Sequence, residues 1–205
     1  MKPTRLTREQ SRDQTRQRLF DAALTTFMNK GFGVTSVEDI AAAAGYSRGA
    51  FYSNFGSKSE LLLELLRRDH DATMGRMRSI FEDGEATRQD MEARVLQYYS
   101  EIYRENKYFL LWAEAKLHAS RDAAFREQFN AFMRELRQTT TDYISAFSER
   151  AGTPLPMPAG QLSLGLIALC DGVQFFYSSD PQAVPADFAE AVLAGFFRRV
   201  VFGAS

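Results

Sequence analysis

Residues 35–58 read TSVEDIAAAAGYSRGAFYSNFGSK, and the placement of their serines and glycines decides the fold. Ser36, Ser47 and Ser57 fall ten or eleven residues apart, and each precedes a helix-forming run. A serine hydroxyl accepts a hydrogen bond from the free N–H groups of a helix's first turn, so each is an N-cap candidate. Ser36 opens a helix through Ile40 and Ala44, with Asp39 placed where a negative charge suits the helix dipole. Ser47 opens a second through Phe51 and Phe55, and Ser57 with Glu60 forms a capping box for a longer third. Gly45 and Gly56 separate the three.

Two short helices joined by a glycine-containing turn make a helix-turn-helix, whose second helix fits a DNA major groove. Ile40, Ala41 and Ala44, with Ala50, Phe51 and Phe55, supply an apolar underside. Arg48, Gly49, Tyr52, Ser53 and Asn54 remain on the outer surface of the second helix. A glycine inside a helix costs about 1 kcal/mol relative to alanine. Close approach of another molecule to the backbone explains Gly49, and an ordinary helical hairpin with a tolerated glycine is the alternative.

The segments Thr35–Ala41 and Ala44–Tyr52, followed by Asn54-Phe55 and Lys58, resemble the signature of the tetracycline-repressor-like (TetR) family. Ala22-Ala23 through Phe27 and Gly31-Phe32 resemble the helix and turn before that signature. The resemblance covers roughly residues 15–65; beyond them only length and helical pattern agree. It implies an all-α protein: a three-helix DNA-binding unit (residues 1–60), then a helical effector-binding and dimerisation domain (61–205). It also implies DNA contacts at Thr35, Ser36, Ser47, Arg48, Gly49, Tyr52, Asn54 and Lys58. Of these, Arg48 suits guanine O6 and N7. Lys58, in the first turn of a helix and opposed by the dipole, calls for a phosphate partner. Asn54 departs from the family's frequent His, and Ser53 from its frequent aromatic residue.

Charge distribution agrees with this polarity. The net charge is −1 overall, but residues 1–60 hold nine basic and six acidic side chains, leaving the remainder acidic. A basic end on an acidic body suits a protein that touches DNA at one end. Lys2, Arg5, Arg8 and Arg12 form an N-terminal arm able to reach phosphates or a minor groove, or else a solubilising tail. Thr7 with Gln10 offers an earlier helix start than Ser11.

Helical periodicity continues to the end. Helices are expected over about 15–30, 58–81, 90–105, 107–120, 121–151, 161–177 and 185–202, with three prolines at 154, 156 and 158 interrupting the sequence. The last two are too apolar for surface helices. Leu162, Leu166, Leu169, Val173 and Phe176 line one, and Phe188, Val192, Phe196 and Val200 step by four along the other. A second subunit is the expected cover, and the resemblance implies a homodimer through this pair.

The effector site is harder to read. Tyr103, Phe109, Trp112, His118, Phe129, Met133, Phe147 and Phe175 are its candidates, fit for an apolar or aromatic ligand, with ordinary core as the competing reading for each. Trp112, Glu114 and His118 stand out because they bring polar groups into an apolar helix. No catalytic constellation is recognisable around His70 or His118, so no enzyme activity, metal or cofactor is expected. The lone Cys170 permits no internal disulfide. Residues 162–177 fall short of the ~20 needed to span a bilayer, and a cytoplasmic protein is expected. The expected function is a homodimeric transcriptional repressor released from a near-palindromic operator by a small ligand, with the fourth helix as lever. An activator of the same fold is the alternative, and a helical lipid-binding protein or enzyme a more distant one.

Overall fold

The computed structural model describes residues 7–82, 87–105 and 108–201. Among them the chain forms α1 (Arg8–Lys30), α2 (Val37–Ala43), α3 (Arg48–Tyr52), α4 (Lys58–Glu82), α5 (Arg88–Glu105), α6 (Phe109–Arg121), α7 (Ala123–Ala151), α8 (Ala159–Ser179) and α9 (Ala186–Phe196), the last continuing as a π-helical turn (Phe197–Val201). No strand occurs among the described residues. Two compact units emerge, and they do not follow a division at residue 60. The first joins the described residues through 69 to 108–129; the second takes in the rest. The physical reason is that α6 and the start of α7 carry apolar and polar partners for the DNA-binding helices, a long-range pairing with no local signature.

In the first unit α1 begins at the earlier of the two candidate starts. Thr7 Oγ1 accepts the N–H of Gln10 at 3.1 Å, and the Gln10 side chain takes the Thr7 N–H at 2.9 Å. Arg8 and Arg12 are therefore helical, while Lys2 and Arg5 lie outside the described residues. Leu19, Phe20, Ala23 and Phe27 bury one face of α1. Ile40 and Ala41 of α2, Phe51 and Phe55, and Leu61, Leu62, Leu65 and Leu66 of α4 complete this core. Burying a side chain of this size is worth about 1.5–3 kcal/mol. That matters most for α3, whose five residues are too few to hold a helix unaided.

The second unit has its own core. Met91, Val95 and Tyr98 of α5 pack with Ile144 and Phe147 of α7, Leu162 and Leu166 of α8, and Ala189, Leu193 and Phe197. The core-facing stripe of the last helix lies one position on from Phe188, Val192, Phe196 and Val200, the stripe for which a second subunit is the expected cover. Ala189, Leu193 and Phe197 face inward, whereas Phe188 and Val192 stand 56% and 37% exposed. The helix is apolar on both sides, so periodicity alone could not tell which side the core takes. On α8, Phe176 likewise points outward, with Leu169 and Val173 half-buried.

At 21 residues α8 exceeds its expected length and is long and apolar enough, by length and composition, to cross a membrane. One of its faces is nonetheless occupied by protein, with Leu162, Ser163, Leu166 and Gln174 buried. Ser163 donates its hydroxyl to the Arg137 carbonyl at 3.0 Å.

Candidate nucleic-acid interface

The helix-turn-helix is built by the caps that the serine spacing foretells. Ser36 Oγ accepts the Asp39 N–H at 3.0 Å, and Asp39 in return takes the Ser36 N–H at 2.9 Å. The same carboxylate accepts a hydrogen bond from the Lys30 ammonium at 2.9 Å. Lys30 and then the Ser36 N–H hold Asp39 far below the ordinary carboxylate range. At the end of α2, Gly45 takes φ +75°, and the Tyr46 N–H reaches the Ala41 carbonyl at 2.8 Å. This is a Schellman turn, which only a residue without Cβ strain adopts readily. Ser47 then caps α3 through the Ala50 N–H at 3.2 Å. Ser57 caps α4 through the Glu60 N–H at 3.0 Å. The Glu60 carboxylate reaches back one residue beyond the expected box, to the Gly56 N–H at 2.9 Å. A Cβ at Gly56 would sit 2.7 Å from that carboxylate, so a side chain there would push the flexible Glu60 head group aside and loosen this cap.

Of the eight expected DNA-contact residues, Ser47, Arg48, Gly49 and Tyr52 form one exposed patch on and before α3. Arg48 pairs with Glu38 of α2 at 3.0 Å, and its guanidinium lies 5.5 Å from the centre of the Tyr52 ring. Both members of that ion pair are more than half exposed, so the pair is weak and exchangeable. A Cβ at Gly49 would meet only the Ser47 hydroxyl, at an ordinary 3.7 Å. Nothing within the protein demands glycine there.

The other four sit differently. Thr35 is buried, 1% exposed, and donates its hydroxyl to the Gly31 carbonyl at 2.7 Å; its side chain fastens the α1–α2 turn and is not presented to DNA. Lys58 is half-buried, and its ammonium donates to the carbonyls of Phe32 and Thr35 at 2.7 and 2.6 Å while lying 4.4 Å from the centre of the Phe32 ring. Burial pulls its pKa down, against the opposing pull of Glu114. Within the protein its partners are thus a pair of backbone carbonyls. Asn54 is half-buried and bonds the Ala50 carbonyl at 2.8 Å, which leaves its Oδ1 buried and unpartnered. Ser36 is half-buried, with its hydroxyl engaged by Asp39.

Three candidate ligand-site residues, together with Glu114, have specific structural partners in the first unit. On α6 the Trp112 indole donates to Asp69 at 2.8 Å, Glu114 accepts the Phe32 N–H, and His118 Nε2 lies 3.1 Å from the Ser59 hydroxyl. The His118 ring also packs at a tilt between Phe32 and Phe125, with ring centres 4.9 and 4.6 Å away. Phe129 is buried and stacks on Phe125 at 5.7 Å. The polar residues that looked out of place on α6 are hooks onto the α1–α2 turn and α4. Phe109 is buried nearby in the same unit. Met133 and Phe147 belong to the second unit, half-buried and buried respectively. Phe175 is 57% exposed on α8, so it does not line an enclosed protomer cavity. The Tyr103 side chain lies outside those described.

Two residues escaped sequence reasoning altogether. Arg16 of α1 donates to the Asn54 carbonyl and to the Glu64 carboxylate of α4. Their only sequence signal is charge within otherwise apolar helix faces. Among the described residues no group of three or more His, Cys, Asp or Glu side chains could hold a metal ion.

Known proteins share this pattern. Residues 19–65 match the profile of bacterial regulatory proteins of the tetR family, and residues 87–201 match the C-terminal domain of BetI-type transcriptional repressors. The transcriptional repressor KstR2 of Rhodococcus jostii is 32% identical over 123 residues, 59% of this chain and 60% of its own length. The chain thus spans less than two thirds of that relative. The transcriptional activator FasR of Mycolicibacterium smegmatis is 25% identical over 82% of this chain and 75% of its own. In fold, the chain is similar to SmeT of Stenotrophomonas maltophilia in complex with triclosan, with a TM-score of 0.70 at 23% identity over 92% of each chain. With the C-terminal match alone covering more than half of its length, and the N-terminal match falling on the helix-turn-helix, this chain belongs to the tetR family of bacterial transcriptional regulators.

Proposed function

We propose that the chain is a homodimeric repressor that binds a near-palindromic operator through α3 and leaves it when a small molecule occupies the helical body. The observation that carries the DNA-binding assignment is the patch of Arg48, Gly49 and Tyr52. It is exposed, lies on a helix held rigidly by the fully buried Phe51, and contains a glycine that the protein itself does not need. Arg48 is the base-reading candidate, because its planar fork matches the guanine edge and its present partner Glu38 is solvent-exposed. Tyr52, Ser47 and the Gly49 backbone suit the flanking phosphates.

Two such helices, presented roughly 34–36 Å apart by a two-fold dimer, would enter successive major grooves. The outward face of α8 and α9 is the dimer surface in this reading. Phe175, Phe176 and Phe188 are more than half exposed, and Val173, Phe176, Val184, Phe188, Ala189 and Val192 line an apolar cleft of about 170 Å³. Apolar exposure of this kind marks an interaction site. The effector is an apolar or aromatic compound, and it acts only through different affinities for the DNA-competent and DNA-incompetent states. Such a regulator works in the cytoplasm, where the bacterial chromosome lies, and performs no catalysis.

The test is binding of the purified protein to its own upstream promoter region across a salt series. Tight, sequence-specific binding whose log K falls linearly with log salt supports the assignment. Affinity equal to that for random DNA, unchanged by Arg48→Ala and Tyr52→Ala, overturns it. Activation in place of repression is the second reading, favoured by the match to FasR over most of the chain. A reporter fused to the bound promoter distinguishes the two by the sign of its response.

A further inference from the structure

The exposed patch on α3 is only as well aimed as the helix that bears it, and α3 is five residues long. Its first turn is fixed by Ser47 and its middle by the buried Phe51. Its far end has a separate fastening. The Arg16 guanidinium lies over the Phe55 ring, 4.2 Å from the ring centre, donates one N–H to the Asn54 carbonyl, and donates another to Glu64 Oε2. Glu64 Oε1 in turn accepts from Arg68 at 3.0 Å, and Arg68 lies 3.7 Å from the centre of the Phe20 ring and bonds Gln17 at 2.8 Å. One carboxylate of α4 thereby holds two guanidinia, one of which grips the segment directly after α3. The Arg16 and Glu64 side chains are 31% and 23% exposed, about half as much as the surface pair of Arg48 and Glu38 at 65% and 56%.

We propose that Arg16 and Glu64 are positioning residues for DNA recognition: a brace that sets the angle of α3 against α4. This rests on the DNA-binding reading above. The chemistry favours an arginine, because its planar fork bonds a carbonyl and a carboxylate at once, and a lysine offers only a compact ammonium. The competing role for Arg16, direct contact with a phosphate, makes the opposite prediction about Glu64. A phosphate-binding arginine gains from losing a nearby carboxylate; a bracing one loses its anchor.

The experiment uses the full chain and the DNA sequence that the wild-type protein enriches from a random duplex pool. Specific and non-specific affinities are measured over a salt series, well below the melting temperature, for wild type, Glu64→Gln, Arg16→Lys and Arg16→Ala/Glu64→Gln. The brace predicts that Glu64→Gln weakens specific binding roughly tenfold, about the discrimination carried by one well-placed base contact. Non-specific affinity and the salt slope stay unchanged, Arg16→Lys behaves like Glu64→Gln, and the double variant is no worse than either. Equal or tighter specific binding by Glu64→Gln overturns the brace. So does full activity of Arg16→Lys, or a salt slope flattened by about one phosphate contact in the double variant. A wild-type protein that enriches no sequence removes the DNA-binding reading itself, and the brace with it. A purely structural ion pair would lower the melting temperature and leave the ratio of specific to non-specific affinity where it was.

Discussion

Lys58 donates its ammonium to the carbonyl of Thr35 at 2.6 Å, tying the first residue of α4 to a turn 23 positions earlier. With the Phe32 carbonyl as second acceptor, the ammonium bridges two backbone carbonyls of a half-buried turn. Lys58→Ala is expected to destabilise the protein by about 1–3 kcal/mol, the range for removing a partner from buried polar groups. The salt slope of DNA binding should not change, because no phosphate contact is lost. Urea unfolding and a salt titration on the same variant check both parts; a slope reduced by about one would return Lys58 to the phosphates.

Arg48 is expected to behave in the opposite way. Its ion pair with Glu38 is solvent-exposed, so Arg48→Ala should change stability by less than about 1 kcal/mol. Loss of specific binding should be about 1–3 kcal/mol, with relaxed discrimination at one guanine of each half-site. Competition binding with operators altered singly at each position reads this directly.

Asp39 gives a pH signature. Lys30 and the Ser36 N–H favour its charged form, so its folded-state pKa lies below the ordinary 3.8. A carboxylate depressed in this way stabilises the fold above its unfolded-state pKa, and that stabilisation is lost as pH falls through the folded value. The stability difference between wild type and Asp39→Asn should therefore be constant at neutral pH and shrink as pH drops below about 4. Thermal melts between neutral pH and pH 2 check it, and a gap that widens on acidification contradicts the assignment.

At the outward face of the last helices, Phe188→Glu places a charge where a large apolar surface stands exposed in the protomer. The expected outcome is a monomer with its fold intact, because the inward residues Ala189, Leu193 and Phe197 are untouched. Sedimentation velocity gives the mass and circular dichroism the helix content. A dimer that survives the substitution would move the interface elsewhere.

Burial, with Asp171 beside it, pushes the Cys170 thiol up to about 12. The thiolate is the reactive form, so Cys170 should react with a disulfide reagent at pH 8 far more slowly in the folded protein than in urea. Because Cys170 is only half-buried, rapid labelling of the native protein would contradict the raised pKa.

The helix-turn-helix was legible because its determinants are local. A cap lies within three residues of the N–H it satisfies, and a turn glycine sits beside the helix it ends, as Ser36, Ser47, Ser57 and Gly45 show. The effector-site candidates were legible only as apolar residues at helical spacing. Trp112 and His118 looked like ligand groups for want of visible partners; those partners, Asp69 and Ser59, lie 43 and 59 positions away.

The sequence by itself determined the all-helical class, the capped start of each DNA-binding helix, the turn at Gly45 and the outward display of Arg48, Gly49 and Tyr52. All of these follow from hydrogen bonds and periodicities that close within a few residues. Only the tertiary structure decided that Thr35 and Lys58 serve the α1–α2 turn, that α6 belongs with the DNA-binding helices, which side of α9 faces the core, and that Arg16 and Glu64 hold the end of α3. Each of those depends on which distant group comes within about 3 Å of a polar atom, or on which of two apolar faces meets another helix. No pattern of spacing along one chain contains that information.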